Sequence, residues 1–295
     1  MKIVYRESIG VFWVRHLLQR IVKRLRKKDP VAIKICAFPD DQIGRDIAVS
    51  GIYEAAGISA IKWLIQSNLI SSSKGGVFVD VGANVGVYSL SLASHFKKVI
   101  AFEPHPVTNK ILDLNVYINR IENIVISNCG LSDKSGMATL VDDLNNTGAS
   151  SINKTAKEDD ISYEVEIKQS SDAIMELMDS DTYISLVKID VEGHELSVIN
   201  GLLKLLQTGT PIIAFEANNA EVNSNVLALL KSNGYEKFIA LDYWPTSSFI
   251  WVRTLLLTCF GVRYVLRDVD HLEHKNFSLV FALGRAAYQK WNELR

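Results

Sequence analysis

A glycine loop that follows an apolar run is the first group of residues in this sequence able to do chemistry. It reads DVGANVG over residues 80–86, after the apolar residues 77–79 and before a helical pattern. Gly82 allows a tight turn and Gly86 lets the helix pack close to the strand, which admits a ligand to the helix N-terminus. The spacing is one residue shorter than G-x-G-x-x-G, and the Asp80 carboxylate would repel a pyrophosphate. The loop therefore favours a ligand that carries an ammonium group.

A second acidic residue, Glu103, follows the next apolar run at residues 99–102 and lies 21 residues beyond Gly82. An acid at this place accepts hydrogen bonds from both ribose hydroxyls of a nucleoside cofactor, in NAD and in S-adenosylmethionine alike. Tight turns alone are common in α/β proteins, but the loop and Glu103 each stand at the end of a predicted strand, and together they predict a cofactor site. The loop spacing argues against a dinucleotide dehydrogenase and favours S-adenosylmethionine, whose methionine moiety carries an ammonium.

Acidic side chains also follow two later predicted strands. Asp190 ends the strand at residues 186–189, Glu192 lies just beyond it, and Glu216 ends the strand at residues 212–215. Ligands of open α/β sheets bind at the carboxyl ends of the strands, so we expect Asp190 and Glu216 to lie close together. Clustered acids can hydrogen-bond a polyhydroxylated acceptor and can provide a general base for it.

The general base has three candidates, Asp190, Glu192 and His194, with Glu216 beside them. His194 has an ordinary pKa near neutrality, but a place on the helix surface explains this residue equally well. Asp190, Glu216 and His194 could instead bind a divalent cation that activates a hydroxyl. Hydrogen bonding without a metal is favoured, because two oxygens and one nitrogen without fixed spacing are a weak metal signal. Lys188 is expected to be solvent-facing or structural.

Alternating strands and helices must position these residues. Such a pattern begins after the linker SSSKGG at residues 71–76, which we take as the boundary between an N-terminal extension (1–74) and the main domain (75–295). Strands are predicted near residues 77–81, 99–102, 124–127, 137–141, 163–168, 186–189, 212–215, 238–241 and 277–282. Repeated βα units imply a parallel sheet with helices on both faces, which is a Rossmann-like α/β architecture.

The N-terminal extension carries most of the charge asymmetry. Residues 1–28 hold nine Lys or Arg and one acid, a net charge of +8, whereas the rest of the chain has −9. Apolar residues recur every four positions and predict a basic amphipathic helix over residues 9–28. We favour packing of this helix on the domain or on a second subunit, and the alternative is an anionic membrane surface. Residues 31–50 predict a short strand and a turn, and residues 51–68 predict a helix.

The composition is that of a globular protein. Of 295 residues, 48% are hydrophobic and 22% are charged, which excludes a disordered chain, a collagen and a disulfide scaffold. The mildly acidic main body argues against nucleic-acid binding. The sequence has no run of 18 apolar residues and no signal-peptide pattern, so we expect a cytoplasmic protein without a transmembrane helix. Cys36, Cys129 and Cys259 lie in apolar surroundings and are expected to be buried.

Several segments resemble the FkbM family of S-adenosylmethionine-dependent methyltransferases. They are VFVDVGANVGVYSLSLA (77–93), VIAFEPHPVTNKILDLNVYIN (99–119), NCGLSDKSGMATL (128–140), LVKIDVEGHELSVINGL (186–202) and PIIAFEAN (211–218). The pair DVGANVG and KIDVEGHE, about 100 residues apart, is quite specific to this family. The resemblance covers roughly residues 75–240. It implies a class I methyltransferase sheet of seven strands, the last of them antiparallel, and methylation of hydroxyl oxygens on sugars, polyketides and similar metabolites.

The resemblance also implies roles for single residues. The family's methionine-side loop is matched by Asp80, Gly82, Asn84 and Gly86, and its ribose acid by Glu103. The stretch that shapes the adenine pocket in this fold corresponds to Asn128, Gly130, Leu131 and Ser132. For Asn128 and Ser132, ordinary turn chemistry is an equal alternative. Ser150 and Ser151 fall in a loop that lies over the acceptor site in the family and would contact the substrate; the alternative is a plain solvated loop.

These implications predict an O-methyltransferase that acts on a hydroxyl of a sugar, a glycan or a glycosylated metabolite. The alternatives are methylation of a nitrogen or a carboxylate on a small metabolite, and a catalytically inactive methyltransferase fold that serves as a scaffold. The presence of Asp80, Glu103 and Asp190 argues against the scaffold. Methyl transfer to an alcohol is an in-line displacement on a sulfonium carbon, so alignment supplies much of the catalysis. S-adenosylmethionine is the expected cofactor, and a divalent cation is not favoured.

Overall fold

The computed structural model describes residues 17, 20, 33–39, 41–51, 53–71, 75–142, 161–217, 220–244, 263–269 and 277–294. The helices of this part of the chain are α1 (Gln42–Ser50), α2 (Ala55–Gln66), α3 (Val87–Leu92), α4 (Pro106–Asn119), α5 (Ser170–Leu177), α6 (Glu195–Leu206), α7 (Ala220–Ser232) and α8 (Arg285–Glu293). The strands are β1 (Gly76–Val81), β2 (Lys98–Phe102), β3 (Ile124–Ser127), β4 (Gly130–Ser132), β5 (Gly136–Val141), β6 (Ser162–Gln169), β7 (Tyr183–Ile189), β8 (Ile212–Ala217), β9 (Tyr235–Trp244), β10 (Arg263–Asp268) and β11 (Phe277–Gly284). They form one sheet of eight strands and one of three.

Five parallel strands form the centre of the larger sheet, in the order β3-β2-β1-β7-β8. Every residue of β1 is buried, because helices cover both faces of the sheet. Phe78 packs into the apolar core on one face, while Val77 and Val79 pack into the core on the other, as the alternation of a strand requires. The chain changes direction at β1, with β2 and β3 on one side and β7 and β8 on the other. The carboxyl ends of β1 and β7 therefore border a crevice at the topological switch point.

Antiparallel strands complete the larger sheet. β11 lies between β8 and β9 and is antiparallel to both, so the predicted seven-stranded sheet with an antiparallel last strand is confirmed. β10 adds an eighth strand at the edge, antiparallel to β9. It comes from residues 243–276, where the sequence pattern indicated no strand.

The smaller sheet covers one side of the crevice, with the strand order β4-β6-β5. β5 and β6 correspond to the predicted strands at residues 137–141 and 163–168, and β4 is added from the stretch that follows β3. This sheet is held against α6, because the Ser170 hydroxyl donates hydrogen bonds to the carbonyls of Ser132 (2.9 Å) and Val198 (3.1 Å). A side chain at Gly201 would run into the Ser132 carbonyl, so a glycine permits this close approach.

The prediction for residues 31–50 was wrong. Residues 33–38 are extended but belong to no sheet, and a helix, α1, follows where a turn was expected. Two side-chain amides of α4 replace a partner strand: Asn119 pairs with the backbone N–H and carbonyl of Lys34, and Asn115 with those of Cys36. The alternating sequence pattern indicates an extended chain correctly, but it cannot tell what accepts and donates the backbone hydrogen bonds.

The N-terminal segment shares the apolar core of the larger sheet. Ile61 and Leu64 of α2 are fully buried and belong to the same cluster as Phe78 and Phe281 of the sheet. α1 begins at a proper cap, since the Asp41 carboxylate accepts a hydrogen bond from the Gly44 N–H at 2.6 Å. Residues 33–71 thus pack onto the sheet by the same apolar burial that holds the sheet's own helices.

Cys129 is buried as expected, whereas Cys36 is exposed, because its extended segment presents its side chain to solvent while its backbone faces α4. Cys259 lies outside the described residues. So does the basic helix predicted over residues 9–28, apart from Leu17 and Arg20, which are helical. In the described part of the chain, no helix has both the length and the apolarity needed to span a membrane.

Candidate active site

A pocket occupies the crevice at the carboxyl ends of β1, β2, β7 and β8. Nine of the residues singled out from the sequence line it: Gly82, Asn84, Glu103, Gly130, Leu131, Asp190, Glu192, His194 and Glu216. The rest of the pocket lining comes from residues that the sequence patterns did not single out, among them Ile43, Tyr53, Glu54, Tyr88, His105 and Leu140. The remaining site residues from the sequence, Asp80, Gly86, Asn128 and Ser132, lie behind the wall and support it. Ser150 and Ser151 lie outside the described residues.

The glycine loop follows β1 and lies very close to the backbone at the end of β7. Gly82 has a φ of +73°, and a side chain there would run into the carbonyl oxygen of Asp190. The N–H groups of Gly82 and Ala83 both donate to the carbonyl of Phe102, each at 3.0 Å. Gly86 has a φ of +89°, and a side chain there would run into Leu112 of α4. Gly82 is thus required by close packing against the backbone of Asp190, and Gly86 by its left-handed backbone conformation.

Glu103 has its carboxylate fixed by backbone groups. The residue is 7% exposed, and its two oxygens accept hydrogen bonds from the N–H of Asn84 (2.8 Å) and the N–H of His105 (2.9 Å). Burial raises the pKa of Glu103 to about 7, and the two N–H groups oppose that rise. Asn128, with its amide oriented to donate, contacts the carbonyls of Glu103 (3.1 Å) and Pro104 (3.2 Å). A rigid acceptor for hydroxyl groups therefore stands at this end of the pocket.

Lys188 is buried at the opposite end of the pocket. Of the two expectations for this residue, solvent-facing or structural, the first is therefore wrong. It is 3% exposed, and its ammonium donates to Asp190 (3.0 Å) and lies 3.7 Å from a carboxylate oxygen of Asp80. Its burial alone would lower its pKa, but Asp190, Asp80 and Glu54 raise it well above the ordinary value, so the side chain is a stable cation. The ammonium also lies 4.7 Å from the centre of the Tyr88 ring. The structural reading of Lys188 therefore fits its surroundings.

Asp80 is fully buried beneath the glycine loop. Burial raises its pKa, while Lys188 and a hydrogen bond from the Ser89 hydroxyl (2.6 Å) lower it. Its carboxylate is thus used within the protein, between α3 and β7. Asp80 does not line the pocket itself, and its contacts are with Lys188 and Ser89.

Three carboxylates meet at the tips of β7 and β8, as the sequence predicted for two of them. One oxygen each of Asp190, Glu192 and Glu216 lies within 4.8 Å of the other two. The parallel pairing of β7 with β8, which sets Ile189 opposite Phe215, brings these tips together. Glu192 (φ +50°) and Gly193 (φ +95°) form a tight turn that carries the chain away from the sheet. Such a cluster can hydrogen-bond several hydroxyl groups, and it has the oxygen ligands that a divalent cation takes.

His194 takes a different direction from these acids. Its Nε2 atom shares a hydrogen bond with the Ser132 hydroxyl at 2.9 Å, and burial lowers its pKa although Asp133 raises it. The imidazole is therefore hydrogen-bonded to the strand β4, and it links the start of α6 to the smaller sheet. Glu195 caps the turn before α6, since its carboxylate accepts from the Gly193 N–H at 3.0 Å.

Tyr53 and Glu54 are the pocket residues for which the sequence offers the least signal. They precede α2, in a segment outside the family resemblance, and no spacing links them to the glycine loop. The pKa of Tyr53 is raised mainly by burial. The negative charges of Glu54, Asp190 and Glu216 raise it further, because they lie near its phenol group. His105 follows the recognised Glu103 and could have been inferred from it: its ring is the N-terminal cap of α4 and lies 3.0 Å from Asp142, the residue after β5.

Comparisons with known proteins return methyltransferases. The Methyltransferase FkbM domain matches residues 80–237. The chain is 31% identical over 153 residues to methyltransferase sdnD of Sordaria araneosa, which covers 42% of this chain and 59% of that protein. It is 28% identical over 200 residues to the hexuronic acid methyltransferase AglP of Haloferax volcanii, which covers 64% of this chain and 80% of that protein.

Coverage of the relatives is partial. The chain spans 59% of sdnD and 57% of methyltransferase 1 of Beauveria bassiana, which is 26% identical over 143 residues. Among solved structures, methyltransferase FkbM of Methylobacillus flagellatus KT superposes with a TM-score of 0.41 at 15% identity, over 92% of this chain and 60% of that chain.

Proposed function

The chain belongs to the FkbM methyltransferase family, and from this premise we propose that it transfers a methyl group from S-adenosylmethionine to a hydroxyl group of a sugar, a glycan or a glycosylated metabolite. The observation that carries the proposal is the joining of two sets of carboxylates in one pocket: Glu103 at one end, and Asp190, Glu192 and Glu216 at the other. The first suits the ribose of the cofactor, and the second suits an acceptor with several hydroxyl groups.

The residues present fit the cofactor. Glu103 is buried, faces the pocket and has both oxygens oriented by backbone N–H groups, so it is prepared to accept hydrogen bonds from a pair of ribose hydroxyls. Gly130 and Leu131 of β4 would flank the adenine, and the edge of the loop at Gly82 and Asn84 would face the methionine. When bound, S-adenosylmethionine supplies an electrophilic methyl group on a positively charged sulfur.

The acids at the β7 and β8 tips act on the acceptor. An alcohol is a poor nucleophile, so the protein gains from orienting its oxygen and from accepting its proton as the methyl is transferred. Asp190 can hydrogen-bond the hydroxyl while Lys188 fixes the position of its carboxylate at 3.0 Å. Glu192 and Glu216 would then hold neighbouring hydroxyls or take the proton. The name of the Haloferax volcanii relative supports a hexuronic acid as one acceptor worth testing first.

A defined glycoside tests this proposal. The full chain would be incubated with S-adenosylmethionine labelled on the methyl group and with p-nitrophenyl β-D-glucuronide, which offers both hydroxyls and a carboxylate, and in parallel with p-nitrophenyl β-D-glucoside. A methyl ether survives mild alkali, whereas a methyl ester is hydrolysed and releases its label as methanol. Alkali-stable label on either glycoside is the expected result. Label that alkali removes would replace the proposal with carboxyl methylation, and no label on either glycoside would contradict the proposed acceptor class.

A further inference from the structure

Glu54 stands in the wall of the pocket in an uncommon backbone conformation. It is the residue before α2, with φ 51° and ψ 37°, a left-handed conformation that residues with a side chain seldom adopt. Its turn places it among the residues that line the pocket, next to Tyr53. Such conformations persist where the surrounding structure enforces them, and they are concentrated at functional sites.

The Glu54 carboxylate is held by a partner from a different helix, α3. It accepts a hydrogen bond from the hydroxyl of Tyr88, which lies on α3 immediately after the glycine loop and is 5% exposed. Gly57, one turn into α2, makes room for this contact, since a side chain there would run into the Tyr88 hydroxyl. The N-terminal segment is thus joined to the glycine loop's helix at the point where Glu54 faces the pocket.

The charges at this end of the pocket do not balance. Glu54, Asp80 and Asp190 surround the single ammonium of Lys188, and all three carboxylates raise the pKa of that lysine after its burial has lowered it. Three carboxylates around one ammonium give this end of the pocket an excess of negative charge. Asp80 is buried and Glu54 and Asp190 are partly buried, so their excess negative charge makes this end of the pocket suited to a positively charged ligand.

We propose that Glu54 is a cofactor-binding residue whose carboxylate binds the positively charged methionine end of S-adenosylmethionine, so that the N-terminal segment closes the cofactor site. The inference rests on the proposed function for the identity of the cofactor. Its electrostatic reason is direct: the ribose end has no positive charge and meets Glu103, whereas the methionine end carries an ammonium and a sulfonium, which outweigh its single carboxylate. Burial raises the pKa of Glu54, and the negative charge of Asp190 raises it further. A bound cation would favour the ionised form of Glu54.

Titration calorimetry with S-adenosylmethionine and S-adenosylhomocysteine tests the inference without any acceptor. Glu54→Gln keeps the shape and an oxygen for Tyr88 but removes the charge, and we expect affinity to fall about tenfold to a hundredfold, the range for hydrogen bonds to charged groups. An equal loss for both ligands assigns Glu54 to the ammonium, and a larger loss for S-adenosylmethionine assigns it to the sulfonium. Affinities within twofold of wild type for both ligands would overturn the inference.

Asp46→Asn is the matched control, because Asp46 is an exposed acid of α1 in the same segment and does not line the pocket. It should bind both ligands as wild type does. Tyr88→Phe supplies a second variant should Glu54→Gln fail to fold: the ring stays over Lys188, only the hydroxyl that holds Glu54 is lost, and a severalfold loss of affinity is expected. An unchanged affinity in Tyr88→Phe, with Glu54→Gln unfolded, would also overturn the inference.

The wild-type titration separates the inference from the proposed function. If wild type binds neither ligand, the assignment of the cofactor fails and the role of Glu54 fails with it. If wild type binds both and Glu54→Gln binds equally well, only the role of Glu54 fails. A negative result in the glycoside assay, by contrast, concerns the acceptor and leaves these titrations unaffected.

Discussion

The two walls of the pocket are built by different means. On the wall of strand tips, Glu103 and Asp190 follow β2 and β7 directly, so the hydrogen bonds of the sheet set their positions. On the N-terminal wall, Tyr53 and Glu54 depend on one left-handed turn and on the packing of α2 against the sheet. The whole sheet therefore fixes the positions of the side chains in the first wall, whereas those in the second wall depend on the packing of one buried helix.

The walls also hold their carboxylates differently. Glu103 is fixed by two backbone N–H groups from its own wall, which no side-chain substitution removes. Glu54 is held by the Tyr88 side chain and lies in a field set by Asp80 of β1 and by Lys188 and Asp190 at the end of β7. A change at Glu103 should thus stay local to one ligand group, while a change in the N-terminal segment should spread through the shared charges and the core.

Removing the N-terminal wall tests this comparison most severely. A chain that starts at Gly75 should not fold, whereas a chain that starts at Val31 should. Residues 55–70 bury six large apolar side chains in the core: Ile58, Ile61, Leu64, Ile65, Leu69 and Ile70. At about 1.5–3 kcal/mol each, their loss amounts to about 9–18 kcal/mol, which is comparable to the whole stability of about 5–15 kcal/mol expected of a domain. Circular dichroism and thermal unfolding of both chains provide the measurement.

A cooperative thermal transition in the chain from Gly75 would contradict this expectation. It would mean that residues 75–295 form a domain by themselves, as the linker at 71–76 predicts, and that the N-terminal segment is added to a finished core. The Val31 chain is the control, since it lacks residues 1–30 but keeps the whole segment that the structure packs on the sheet.

The wall of strand tips should matter most for turnover. Asp190→Asn keeps the shape and a hydrogen bond from Lys188 but removes the charge, so folding and cofactor binding should persist while turnover falls ~10²–10⁴-fold, the usual effect of losing a general base. Turnover would be measured with the glycoside that accepts label in the assay above. Asp113→Asn, an exposed acid of α4, is the control. Wild-type turnover in Asp190→Asn would remove Asp190 from the mechanism.

The same assay distinguishes hydrogen bonding from metal binding at the acidic cluster. Hydrogen bonding alone predicts that EDTA leaves the turnover of wild type unchanged. Loss of activity with EDTA, restored by excess Mg²⁺, would instead assign Asp190, Glu192 and Glu216 to a cation, with a different third ligand from the His194 considered from the sequence.

The two walls differ in how far the sequence predicts them. Ligands bind at the carboxyl ends of strands, so locating an apolar run places Glu103, Asp190 and Glu216 at once, and the pocket contains all three. No such rule reaches Glu54, because its place depends on Gly57 admitting Tyr88 and on a turn that only the folded core enforces. His194 shows the limit from the other side: its residue type suits a base, but the Ser132 hydroxyl that binds it is 62 positions away.

Glu103→Ala sharpens the comparison from the cofactor end. Two ribose hydroxyls would lose a charged acceptor, so the free energy of binding S-adenosylhomocysteine should weaken by ~1.5–3 kcal/mol. Because Glu103→Ala also leaves the Asn84 and His105 N–H groups without their carboxylate acceptor, the variant should melt below wild type while still folding. Titration calorimetry gives the affinity, with the exposed Glu122→Ala as control. An affinity equal to that of wild type would exclude Glu103 as the ribose acid.

The pH dependence of binding is the smallest expected effect. It shows which of the two walls holds the carboxyl group that titrates. Burial raises the pKa of Glu103 to about 7, so in the folded protein its carboxyl is protonated below neutrality, whereas in the unfolded chain it ionises near its ordinary pKa of 4.5. A group with a raised pKa stabilises the fold fully below pH 4.5, and this contribution is lost as the pH rises through about 7.

The affinity for the cofactor has the opposite pH dependence, because accepting hydrogen bonds from two ribose hydroxyls requires the ionised form of Glu103. The affinity for S-adenosylhomocysteine should therefore rise about tenfold from pH 6 to pH 8. Glu103→Gln should flatten this rise even though Glu54, Asp80 and His194 remain. If the rise persists in Glu103→Gln and disappears in Glu54→Gln, the titrating carboxyl belongs to the N-terminal wall, and the strand tip is not where the proton is released.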